Sequence, residues 1–302
     1  MKPLFKLRDL PKLFKIASIE WYEKDPFRQS AVIAYYAVFS LPALLVLVIT
    51  AAGFFFQSDS VQQLLLDQVK QTMGLETSEQ IKEMLIKAQE AKASVWATIL
   101  GIATVLIGST GVFVQLQKTL NIIWEVEVVE EEGIWPILKT RLFSFGLILS
   151  IAFLLLISLV ISTLLGVASE LLKSETSDIL FVLFYILNFI ISLVVISSLF
   201  ALIFKILPDA KITWRHVIIG SIVTGLLFTL GKMAIALYFS KAEPGSGYGA
   251  AGSVILILLW VSYSSMILFY GAEFTRAYAN MYSKYVPATD IAKKKHIPKE
   301  AT

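Results

Sequence analysis

Residues 179–204 read ILFVLFYILNFIISLVVISSLFALIF, an unbroken run without Asp, Glu, Lys or Arg. Bilayer hydrocarbon is roughly 30 Å thick and a helix rises about 1.5 Å per residue, so roughly 20 apolar residues cross it. Four further runs are equally free of charge, at 29–58, 93–117, 142–169 and 244–272. A sixth, from Val217 to Ser240, is interrupted only by Lys232. Inside hydrocarbon every backbone N–H and C=O must be satisfied within the segment, which a helix does. The expectation is an all-α polytopic membrane protein: one domain, a six-transmembrane-helix bundle. The spans fall at about 31–56, 94–117, 142–167, 179–204, 216–240 and 248–272.

Composition agrees. Hydrophobic residues make up 57% of the chain and charged residues 16%, with a mean hydropathy of +0.74, which excludes an ordinary soluble domain. A net charge of +3 gives no argument for nucleic acid as a partner. The chain has no Cys, which removes disulfides, thiolate chemistry and Cys-ligated metals. The first 28 residues are mostly polar or amphipathic, unlike a cleavable signal peptide.

Lys and Arg are distributed unevenly between the spans. Segments 1–28, 118–141, 205–216 and the tail after span six hold 19 of them, and the opposite loops hold six. The positive-inside rule therefore expects both termini in the cytoplasm. Segment 1–28 opens a helix at Asp9-Leu10-Pro11 and gathers Leu13, Phe14, Ala17 and Trp21 on one face. Two placements fit that face: an interfacial helix on the inner leaflet, or a helix packed on cytoplasmic loops. Residues 276–302 form a basic tail.

Loop 59–92 is the long outer one. Val61, Leu64, Leu65, Val69 and Met73 recur at helical spacing, Gly74 interrupts, and Thr77-Ser78-Glu79-Gln80 matches a capping box before Ile81, Leu85 and Ala88. An extracytoplasmic amphipathic helical hairpin is expected, either a lid over a cavity or a cap on helix ends. The Glu-rich run 125–132 lacks metal-ligand spacing and reads as solvated loop.

Several residues stand out as candidates for a substrate cavity. Lys232 is an ionisable group within a span, which either contacts an anionic group or snorkels to the outer headgroups. Pro42 removes one backbone donor and is expected to kink span one near Val38, as a hinge or simply as structure. Tyr35, Tyr36 and Ser40 place hydroxyls beside it. Gln117 and Asn121 lie one turn apart after span two, and Asn188 needs an amide partner in span four. Span six opens Pro244-Gly245-Ser246-Gly247-Tyr248-Gly249-Ala250-Ala251-Gly252-Ser253, a pattern for close packing or a late-starting helix whose amides meet an anion. Gly249 and Gly252 are therefore candidates. So are Ser262 at mid-membrane and Glu273 at the inner end, the latter expected in a salt bridge with Lys118, Lys205 or Arg276.

AYYAVFSLP in span one, QLQKTLNIIW after span two, FKILPD after span four and YGAAGSVILILLWVSYSSMILFYGAEFT in span six together resemble the YihY/BrkB family. These bacterial inner-membrane proteins have long been labelled ribonuclease BN-like. The resemblance implies six spans in this order. A ribonuclease needs metal-holding His and carboxylates or acid–base groups in an accessible groove, and the two His here, His216 and His296, start no such motif. No cofactor or metal site is expected. The partners implied are the bilayer and an anionic lipid or amphipathic substrate, and no feature specifies an oligomeric state. The function expected is a transporter or lipid-handling protein, with a non-transporting scaffold or assembly protein as the alternative.

Overall fold

A computed structural model describes residues 7–52, 58–90, 110–128, 178–282, 286–289 and 292–294. The chain is mainly helical. A 3-10 turn (Leu7–Asp9) leads into α1 (Leu10–Glu23), α2 (Pro26–Ala52), α3 (Ser58–Met73) and α4 (Leu75–Glu90). Then come α5 (110–123), α6 (Asp178–Ile206), α7 (Trp214–Ala242), a 3-10 turn (Ser246–Ala251) and α8 (Gly252–Tyr282). Among the described residues, α6 from Ile186, α7 and α8 are long and apolar enough to cross a membrane. The span expected at 142–167, most of that at 94–117, and the end of the basic tail lie outside the described residues.

α8 is the central post, with α1, α2, α4 and α7 packed around it. α7 and α8 approach closely because small residues interlock. A Cβ on Gly220 would meet the Thr275 side chain, and one on Gly271 would meet Thr224. Each threonine hydroxyl is satisfied on its own helix: Thr224 donates to the Gly220 carbonyl and Thr275 to that of Gly271, both at 2.7 Å. A polar residue is thus packed at a helix contact without leaving an unpaired donor.

The apolar face of α1 is covered by α8 rather than by loops. Leu13 and Ala17 are fully buried, Phe14 packs on Phe274 and Tyr270, and the Trp21 indole donates to the Met266 carbonyl at 3.2 Å. At the other end, Tyr282 donates to Asp9, whose carboxylate makes no cap bond to its own helix. α1 therefore runs antiparallel along α8. The helix also extends past the expected end of span six: Phe274 to Ala279 are all buried within it. Asp25, in the left-handed region at φ 57°, turns the chain from α1 into α2.

α3 and α4 form a hairpin about Gly74, whose φ of +92° suits glycine. The hairpin covers the opposite end of α7 and α8, burying Ile81 and Leu85 with Ile235, Phe239 and Ile257. The capping-box sequence does not mark the start of the helix. α4 already begins at Leu75, so Thr77 lies inside the first turn, and the Gln80 amide oxygen accepts from Ser253 of α8. One element departs from an all-helical reading. β1 (Val126–Val128) pairs antiparallel with β2 (Ala292–Lys294), setting Glu127 opposite Lys293.

Candidate functional site

Polar contacts gather on α5, which carries QLQKTLN. Its side chains fan out to two neighbours at the α1 end of the bundle, α2 and the α6–α7 connection. Gln115 donates to Gln29 of α2 at 2.6 Å, and Thr119 also reaches Gln29, at 3.3 Å. One turn on, Asn121 holds Asp209 twice: its amide donates to the carboxylate at 2.8 Å, and its oxygen accepts the Asp209 backbone N–H at 2.9 Å. Gln117 adds a second bond to that carboxylate at 3.1 Å. Asp209 is buried, so two amide donors to its carboxylate and one acceptor for its N–H replace the water it has lost.

Beyond the end of α5 the contacts become ionic. Lys24 donates to the Ile123 carbonyl at 3.3 Å and to Glu273 at 2.6 Å. Arg276 meets Glu20 at 2.8 Å, Glu273 at 3.4 Å, and Glu125. Three carboxylates thus share two cations. The Glu273 side chain is 1% exposed, where an unpaired charge would be very costly. Glu125 adopts φ 53° to close the helix and deliver its carboxylate to Arg276. This network joins α1, α5 and α8, which gives it a structural role.

The other candidates lie nearer the hairpin. Lys232 of α7 is partly buried, and no hydrogen bond or ion pair joins it to another described residue. Its neighbour Gly231 faces Tyr263 and Ile267 of α8 so closely that a Cβ would collide with both. Tyr36 lies over Gly111 of α5, while Tyr35, more than half exposed, stacks edge-on with Tyr36 and Phe39. Ser40 is buried and donates to the Ala37 carbonyl at 3.2 Å. The α2 helix is continuous through Pro42. Gly249 lies in the 3-10 turn, and Gly252 packs against the backbone of Gly245. Ser262 is partly buried on α8. Among the described residues, the Asn188 side-chain oxygen and the Ser264 hydroxyl are buried without a hydrogen-bond partner.

The model of the family described as "Virulence factor BrkB" matches residues 19–296, nearly the whole chain. The chain belongs to the BrkB family. A BrkB-family relative in Saccharophagus degradans, a UPF0761 membrane protein, is 26% identical over 275 residues, covering 88% of this chain and 60% of that protein. UPF0761 membrane proteins of Verminephrobacter eiseniae and Vibrio vulnificus are 28% and 26% identical, over 58% and 64% of this chain and 40% and 59% of theirs. This BrkB-family chain therefore spans about half the length of these curated relatives. No solved structure matches it. With the apolar helices, these likenesses make it an integral membrane protein.

Of the sequence-derived candidates, Asn121 and Glu273 enter the polar network at the α1 end, and Lys232 stands apart from it. Glu273 does pair with Arg276. Its other partner is Lys24, not Lys118, which is exposed, or Lys205, whose ammonium donates to the Ile212 carbonyl. Sequence reading did not find Lys24, Glu20, Gln29 or the role of Glu125. Glu20 and Lys24 are four apart on α1, one turn, and that spacing was the available signal.

Proposed function

We propose that this chain crosses the bacterial inner membrane six times with both termini cytoplasmic, and that it moves or handles an anionic amphipathic substrate. The excess of Lys and Arg on one set of segments supports the orientation. On this reading the α3–α4 hairpin lies on the extracytoplasmic face and α1 at the cytoplasmic one.

Lys232 carries the substrate reading. It is a partly buried ammonium on an apolar helix without an ion-pair partner among the described residues. An intramembrane cation in that state calls for an anion, and a lipid phosphate or a carboxylated amphiphile supplies one. Tyr35, Tyr36, Ser40, Pro42 and Ser262 are the proposed neighbours of the same path. Gly249 and Gly252 form its Gly-rich opening. Asn121 and Glu273 belong to the closure at the opposite end.

The test is transport in vesicles of phosphatidylcholine with phosphatidylglycerol, reading translocation of a fluorescent phosphatidylglycerol. Lys232→Gln should slow it about tenfold or more, the worth of one charge-assisted contact, and Lys232→Arg should keep most of it. Full activity in Lys232→Gln removes the anion-contact role. A wild-type protein that moves no amphiphile favours the scaffold reading.

A further inference from the structure

The connection between α6 and α7 borders an open cleft of about 610 Å³ lined by residues that include Lys205, Asp209, Lys211, Thr213, Trp214 and Thr289. We infer that this cleft binds the phosphate headgroup of an anionic phospholipid of the adjacent leaflet, at a site separate from Lys232.

Charge is the first ground. Lys205 and Lys211 both line the cleft, and the Lys205 ammonium sits 5.8 Å from the centre of the Trp214 ring while donating to the Ile212 carbonyl. That leaves two of its three donors for a ligand. The one acidic lining residue keeps its charge but is engaged on another side, since the Asp209 carboxylate takes bonds from Gln117 and Asn121, and the two lysines leave the lining net positive. The cleft also meets the positive end of a 29-residue helix: Thr213 precedes α7 and makes no side-chain cap bond, its hydroxyl being paired with His216 Nδ1 at 2.7 Å.

The second ground decides between a lipid and a free phosphate. Trp214 begins a stripe of exposed apolar residues up one face of α7: Trp214 at 52%, Ile218 at 49%, Ile222 at 45% and Leu226 at 41%. The four-residue spacing keeps them on one side of the helix. A headgroup in the cleft therefore has an acyl-chain track directly beneath it, which a soluble anion would not use. The walls are fixed rather than loose. The Asp209 carbonyl accepts the Thr289 N–H at 2.9 Å, and Lys211 N–H donates to Pro287 at 2.8 Å, so segment 286–289 braces the connection.

The experiment is native mass spectrometry of the full chain released from nanodiscs of phosphatidylcholine with one fifth phosphatidylglycerol. Wild type should retain phosphatidylglycerol preferentially, and Lys205→Gln with Lys211→Gln should lower that preference on the order of tenfold. Lys205→Arg with Lys211→Arg should restore it. Lys211→Glu leaves the Lys205 bond to Ile212 in place and should also lose the preference, which keeps the test decisive if the double variant misfolds. Lys232→Gln should lose only the lipid held at that position, and adding Lys211→Glu to it should lower retention further, separating this site from the transport reading. Equal retention in wild type and Lys211→Glu overturns the inference. Displacement of the lipid by millimolar inorganic phosphate overturns its lipid assignment.

Discussion

Lys24 Nζ lies 2.6 Å from Glu273 Oε1, joining two residues 249 positions apart in the chain. The contact closes α1 onto α8, and it makes Glu273, the most deeply buried carboxylate of the network, dependent on a residue outside its own helix. Breaking a buried pair from one side leaves the remaining charge unsatisfied.

Glu273→Gln should accordingly destabilise the protein by about 3 kcal/mol, because it weakens the acceptor for both Lys24 and Arg276. Lys24→Met should cost less, since Arg276 still reaches Glu273. The double variant Lys24→Met with Glu273→Gln should recover about 1–2 kcal/mol relative to the sum of the singles. Unfolding midpoints in detergent provide the measurement. Strict additivity would mean that the pair is not coupled.

The interlock of α7 and α8 gives a steric expectation. Gly271→Ala drives a methyl into Thr224 and should cost about 1–3 kcal/mol. Adding Thr224→Ala clears the hydroxyl and γ-methyl and should return part of that loss. Heat-induced aggregation of purified protein reads both effects. Gly247→Ala, where no atom lies within 4 Å of the new carbon, is the neutral control.

Asn121→Ala should loosen the α6–α7 connection, since it removes two of the bonds holding Asp209. A cost of about 2–3 kcal/mol is expected for two bonds at a buried charged group. Limited proteolysis should show faster cleavage near residues 207–213. Unchanged cleavage would mean that Gln117 and the backbone bonds to segment 286–289 hold the loop without Asn121.

The absence of Cys makes single-cysteine labelling free of background. In intact cells, Lys82→Cys on the hairpin should react with a membrane-impermeant thiol reagent, whereas Lys12→Cys and Lys293→Cys should react only after lysis. Labelling of Lys12→Cys in intact cells would reverse the proposed orientation.

How much of this was legible in the sequence differs by the range of the interaction. Local signals were readable: uncharged length gave the helices, Gly74 broke the hairpin, and Pro11 marked the start of α1. Long-range partners were not. Nothing near Glu273 points to Lys24, because an ion pair between distant segments leaves no periodic trace. Gln80 matched a capping box, yet Ser253 took its amide oxygen once α4 packed against α8. The Gly-rich opening read as close packing or a late-starting helix, and the helix does start only at Gly252, where the 3-10 turn sets Gly245 against its backbone. The short pairing of residues 126–128 with 292–294 was hidden because three-residue strands carry too few side chains to show alternation.

The position of Lys232 is tested most directly by Lys232→Cys in vesicles, probed with a small charged thiol reagent with and without an anionic amphiphile. A cysteine lining a wetted substrate path reacts, and the amphiphile slows that reaction severalfold. A cysteine that stays unreactive to the charged reagent, yields only to a lipid-soluble one and gains no protection would place position 232 against the bilayer and contradict the account.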